Sequence, residues 1–66
     1  MKIHINTKEK IVDDSISLKS LLTNLSIPQE KTIISINGEP LQKKDIDFYI
    51  LSEGDLVEFF SFVGGG

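Results

Sequence analysis

The chain has 66 residues, 39% of them hydrophobic, and a formal net charge of -3. A domain this short buries only about 60% of the surface its unfolded form exposes, and it has no cysteine and one histidine, His4, so neither a disulfide framework nor a four-ligand zinc pattern reinforces its core. The acidic balance argues against a surface that tracks nucleic-acid phosphates and suits a basic protein partner.

KIHIN, residues 2–6, alternates: Ile3 and Ile5 point one way, while Lys2, His4 and Asn6 point the other, the period of a half-buried strand. Asn6-Thr7-Lys8 is turn-like, and EKIV, residues 9–12, reads as the return strand of a hairpin. A different period follows. Leu18, Leu21, Leu22 and Leu25 stand at i, i+3, i+4 and i+7, one face of a helix. Ser17 is its N-cap, and Asp13 and Asp14 are expected to serve the helix entry through the helix dipole. The helix is expected to run for about ten residues and to stop near Ser26, because Pro28 cannot continue the ladder.

KTIISI, residues 31–36, is β-branched and strand-like, and Asn37-Gly38 is a strong hairpin signal because both residues tolerate positive φ. Glu39-Pro40-Leu41 returns as a short strand, placed at a sheet edge by Pro40. A single helical turn is expected around residues 44–48, followed by a connection packed by Tyr49, Ile50 and Leu51. Ser52-Glu53-Gly54-Asp55 is a turn, and residues 56–63 form the last strand. Two hairpins flanking one helix resemble the β-grasp, or ubiquitin-like, architecture. The expected fold is α+β, a mixed sheet of four to five strands covered on one face by one main helix. Residues 1–63 would form that domain and residues 64–66 a flexible glycine tail.

Three successive glycines have a chance frequency of about 3 in ten thousand at the usual ~7% glycine content. Glycine has no Cβ, so such a tail passes a narrow channel and delivers a terminal carboxylate into another protein. A carboxylate with a pKa of about 3.5 is anionic and resists nucleophilic attack, so it needs activation, typically as an acyl-adenylate made from ATP. The chain contains no phosphate-binding loop, no Cys nucleophile and no Ser-His-Asp set. It reads as a substrate or carrier rather than an enzyme. The N-terminal MKIHIN lacks the apolar stretch of a signal peptide, and no segment approaches transmembrane length, so a soluble cytoplasmic protein without a membrane partner is expected.

The turn Ile36-Asn37-Gly38-Glu39, the strand entry Glu53-Gly54-Asp55-Leu56-Val57-Glu58 and the terminal Val63-Gly64-Gly65-Gly66 resemble the thiamine-biosynthesis sulfur carrier (ThiS) family, over the whole chain and without insertions. The resemblance implies that the Gly66 carboxylate is adenylated by an E1-like, ThiF-like enzyme that uses ATP, the carrier itself binding no cofactor. Sulfur relayed from a cysteine desulfurase then gives a thiocarboxylate, and a ThiG-like thiazole synthase accepts that sulfur for the thiazole ring of thiamine. Gly65 and Gly66 match the reactive diglycine, and Gly64 the extra glycine of many members. The Phe59-Phe60-Ser61-Phe62 run is more aromatic than the family pattern and bears on partner specificity. The small subunit of molybdopterin synthase resembles the chain in fold and thiocarboxylate chemistry but is usually longer. A ubiquitin-like modifier is a third variant of this chemistry, and a β-grasp interaction module whose tail carries no chemistry is the alternative of another class.

Parity divides the last strand. Glu58 belongs in water, so Val57 and Phe59 are expected to face the helix. Phe60 and Phe62 are left on the open sheet face where, with Glu58, they form a docking patch beside the tail. His4 is expected to be solvated and Lys43 and Lys44 to be surface charges. Glu53, Asp55 and Glu58 form either an acidic rim near the tail or a solvated turn.

Overall fold

The computed structural model of the chain describes residues 1–61. Lys2–Ile5 (β1) and Lys8–Ile11 (β2) form the first hairpin, with Ile3 opposite Lys10 and Ile5 opposite Lys8. Leu18–Asn24 (α1) follows, then a 3-10 turn at Gln29–Lys31 and the second hairpin, Thr32–Ile36 (β3) and Glu39–Pro40 (β4). One helical turn, Lys43–Ile46 (α2), precedes the last strand, Leu56–Ser61 (β5). The expected continuation of that strand through Phe62 and Val63, and the tail Gly64, Gly65 and Gly66, lie outside the described residues.

The sheet order is β2-β1-β5-β3-β4. β5 runs parallel to β1 and antiparallel to β3, so the first and last strands meet in the middle of a mixed five-stranded sheet. With α1 packed against one face, this is the β-grasp arrangement anticipated from the order of elements. The core is Ile3, Leu18, Leu21, Leu22, Ile34, Ile36, Ile46, Leu51 and Val57, all buried, and Leu25 and Phe59 are half-buried against it. Val57 and Phe59 therefore face the helix as their parity requires.

The ends of α1 follow from local chemistry. The Ser17 Oγ accepts the Ser20 N–H at 3.0 Å, the expected N-cap. The helix is shorter than expected, because it is stopped before Pro28 by a Schellman turn. Ile27 N–H donates to Leu22 O at 2.9 Å, Ser26 N–H donates to Thr23 O at 3.1 Å, and Ser26 takes φ 58°. The first turn of α1 itself holds no acidic residue, the expected helix-entry pair lying upstream of it. Asp14 lies 3.2 Å from the Met1 ammonium, which also donates to Val12 O at 2.7 Å.

The connection before β5 departs from expectation too. Leu18 N–H donates to Tyr49 O and Leu51 N–H to Ile16 O, both at 2.9 Å, so residues 49–51 lie alongside the segment that enters α1. This extended pairing sends alternate side chains to opposite sides. Leu51 is buried, Tyr49 half-buried, and Ile50, expected to pack inward, is exposed.

Candidate functional site

The candidate site is the exit end of β5, the strand that precedes the glycines in the chain. Its register with β3 pairs Thr32 with Ser61, Ile33 with Phe60, Ile34 with Phe59, Ser35 with Glu58 and Ile36 with Val57. Directly paired residues share a face. Ile34, Ile36, Val57 and Phe59 thus point to the core, and Ile33, Ser35, Glu58 and Phe60 to the open face. Phe60 is 52% exposed and its cross-strand neighbour Ile33 is 41% exposed. Glu58 is half-buried beside buried Ser35, and His4 is half-buried beside Leu56 at the other end of the open face. Phe62, the second expected member of the aromatic patch, lies outside the described residues, as do Gly64, Gly65 and Gly66.

Ile33 is the residue that parity within β5 alone misses. It becomes visible only once the β3–β5 register is known, because the turn at residues 37–38 links β3 to β4 and not to β5. The exit end of β5 also outruns β1, whose pairing with it covers only His4–Leu56 and Ile5–Val57. There the Asn6 side chain takes over. Its backbone is left-handed, φ 54°, and its Oδ1 accepts the Phe59 N–H at 3.1 Å while Asn6 N–H donates to Val57 O at 2.9 Å.

The entry end is built from the two motif pieces singled out in the sequence. Asn37 takes φ 53° and Gly38 φ 90°, the positive pair of a tight hairpin turn. Asn37 Nδ2 donates to Asp55 Oδ1 at 3.0 Å, Asn37 Oδ1 accepts the Leu56 N–H at 2.9 Å, and Asn37 N–H donates to Leu56 O at 2.8 Å. Asp55 Oδ2 accepts from Ser52 N–H at 2.9 Å and from the Tyr49 hydroxyl at 3.3 Å. Glu53 accepts the Lys2 N–H through both carboxylate oxygens at 3.2 Å, and Gly54 N–H donates to Lys2 O at 2.8 Å. Glu53, Gly54 and Asp55 thus hold β1, β5 and the Asn37 turn together.

This overturns the acidic rim. Asp55 is only 7% exposed and fully engaged. It also precedes Ser61 by six residues, roughly 20 Å along a strand, so Glu53 and Asp55 belong to the end of β5 opposite Ser61. The solvated-turn alternative holds for exposed Glu53, and not for buried Asp55 or for Glu58, which is half-buried within β5. Burial, then the neighbouring Asp55 charge and hydrogen bond, hold the Tyr49 phenol above its ordinary pKa. On the open face, Lys2 Nζ lies 3.0 Å from Glu9. The hydrogen bond and charge of that pair raise the Lys2 pKa and lower that of Glu9, both side chains being exposed. Lys43 and Lys44 are exposed as expected. Among the described residues no three His, Cys, Asp or Glu side chains converge to hold a metal, and no helix is long and apolar enough to cross a membrane.

The model of the ThiS family matches residues 2–66, nearly the whole chain and through its last glycine. The chain belongs to the ThiS family. It is similar to the thiamine biosynthesis protein (ThiS) of Geobacter metallireducens in a crystal structure, with a TM-score of 0.85, 36% identity and full coverage of both chains. A solution structure of a thiamine biosynthesis protein from the same organism gives a TM-score of 0.80 at 35% identity, covering all of this chain and 88% of that one. Thiazole synthases of Paramagnetospirillum magneticum and Magnetococcus marinus are each 30% identical over 66 residues. This chain spans about a fifth of the length of those curated relatives, 20% in each case. A ThiS-like stretch is thus part of proteins named for thiazole synthesis.

Proposed function

We propose that the chain is a sulfur carrier for the thiazole ring of thiamine, acting as a protein co-substrate rather than an enzyme. The carboxylate of Gly66 attacks the α-phosphate of ATP on an E1-like, ThiF-like adenylyltransferase, and pyrophosphate leaves. A persulfide supplied by a cysteine-desulfurase relay then displaces AMP from the acyl carbon to give an acyl disulfide, and a second thiol of the relay cleaves its S–S bond, leaving a thiocarboxylate and a disulfide on the relay protein. A ThiG-like thiazole synthase takes the sulfur into its substrate, and an oxygen from that substrate or from water replaces it at the acyl carbon, which returns the carboxylate. ATP belongs to the activating partner, and the carrier holds no cofactor of its own. Gly64 and Gly65 give the slender approach to Gly66, and Phe60, Phe62 and Glu58, joined by Ile33, form the docking surface. The cytoplasm, where ATP and the desulfurase operate, is the proposed location.

The observation that carries this reading is the family match through Gly66, the residue whose carboxylate would react. The thiazole synthase relatives support the choice of acceptor, since a ThiS-like sequence is fused into each of them. The test uses the absence of cysteine. The chain is incubated with ATP, a sulfur source and the activating enzymes, treated with a thiol-selective alkylating reagent, and its intact mass is recorded. An adduct that maps to Gly66 is expected, because no other group in the chain is a thiol. A chain that stays unalkylated under those conditions is not a sulfur carrier.

A further inference from the structure

Asn37-Gly38 combines a reactive dipeptide with an unusually complete set of restraints. An asparagine followed by glycine is open to attack by the glycine nitrogen on its own side-chain amide, because glycine places no Cβ beside that nitrogen. In this fold both polar atoms of the Asn37 side chain are engaged. Nδ2 donates to Asp55 at 3.0 Å and Oδ1 accepts the Leu56 N–H at 2.9 Å, while the backbone N–H is tied to Leu56 O. The side chain cannot rotate toward Gly38 N without breaking both of its bonds. Asn37 and Gly38 are nevertheless exposed, so water reaches the turn.

We propose that Asn37 is a latent deamidation site, held shut by Asp55 and the Leu56 amide and opened when this clamp opens. In the reaction Gly38 N bonds to Asn37 Cγ, the Cγ–Nδ2 bond breaks, and ammonia leaves with the proton from the Gly38 nitrogen. Water then opens the cyclic imide at either carbonyl, to aspartate or isoaspartate. Each product is incompatible with the clamp. Aspartate loses the Nδ2 donor and sets a second carboxylate against buried Asp55. Isoaspartate adds a methylene to the main chain inside a turn whose flanking pair, Ile36 and Glu39, is in register. One opening thus becomes permanent and unlatches the entry of β5, the strand that precedes the tail in the chain.

The test compares three samples at one pH and temperature: the folded chain, the same chain unfolded in urea, and folded Asp55→Ala. Conversion at residue 37 is read by peptide mass and by methyl-transfer labelling of isoaspartate. Asn6 and Asn24, which precede Thr7 and Leu25, serve as internal references. The folded chain should convert about tenfold or more slowly than the unfolded chain, the protection expected of a locally closed segment. Asp55→Ala should approach the unfolded rate while its circular dichroism stays folded. Asp55→Leu, of similar size but without an acceptor oxygen, takes its place if Asp55→Ala does not fold. Equal rates in the folded and unfolded chains, no conversion even in urea, or a folded Asp55 variant as slow as the parent would each overturn the proposal.

Discussion

At its entry β5 is tied to three other segments: to the Asn37 turn through Asp55 and Leu56, to the approach through Ser52 and Tyr49, and to β1 through the adjoining Glu53 and Gly54. At its exit, five residues on, the pairing with β1 has ended, one asparagine side chain stands in for it, and Phe60 and Ile33 lie open to solvent. The same strand is fastened at one end and presented at the other. Fixing the entry gives the exit a defined direction, and leaving the exit open lets a partner approach it. Substitutions at the entry should therefore act on stability, and those at the exit on partner engagement.

The largest effect is expected from deleting Gly65 and Gly66. Alkylation at the terminus should be lost entirely, while the thermal midpoint stays within error, because the core of the described residues is built from positions between Ile3 and Val57. A fall in the midpoint would show that the two ends are coupled. Asp55→Ala should do the reverse. It removes the acceptor of Asn37, Ser52 and Tyr49 and is expected to cost about 2–3 kcal/mol, or roughly 10 °C or more in Tm for a domain this small. Terminal alkylation should survive at temperatures where the variant is folded.

A smaller effect is expected at the exit. Phe60→Ser should weaken association with the activating enzyme about tenfold, as loss of an aromatic anchor does, with a stability change within about 0.5 kcal/mol for an exposed position. Titration calorimetry and melting together separate the two. The smallest effect sharpens the entry end. The chain has one tyrosine and no tryptophan, so alkaline absorbance reports Tyr49 alone. Its midpoint should lie above the ordinary value of 10.0, fall toward it in urea, and move partway in Asp55→Asn. Because the folded state raises this pKa, the linked stability is complete below pH 10 and is lost as pH rises through the folded value. A midpoint no higher in the folded chain than in urea would remove Tyr49 from the clamp.

What the sequence made legible was whatever is decided locally. The leucine spacing and Ser17 define α1, Asn37-Gly38 defines its turn, and alternation along β5 sorts Val57 and Phe59 from Phe60. What escaped was decided by distant partners. Asp55 reads as one more solvated carboxylate in a turn, because its partner Asn37 is 18 residues away. Asp14 reads as a helix-entry charge, because nothing nearby announces that the Met1 ammonium folds back onto it. Ile33 belongs to the open patch only through the β3–β5 register. Two of the motif pieces that carry the family resemblance, the Asn37-Gly38 turn and the residues 53–58, form the fastening of β5. The residues proposed to carry the chemistry, Gly64 to Gly66, are legible only from composition and resemblance.

The central position of β5 also has a mechanical consequence. Tension applied at Ser61 along the axis of β5 meets a ladder, from Thr32 to Ile36, whose hydrogen bonds lie across it. Those bonds are loaded together in shear and are not opened one by one as in a peeled edge strand. A partner that draws the terminus into a deep channel therefore pulls against the whole β3–β5 ladder at once, and the domain travels with its tail instead of unravelling from it.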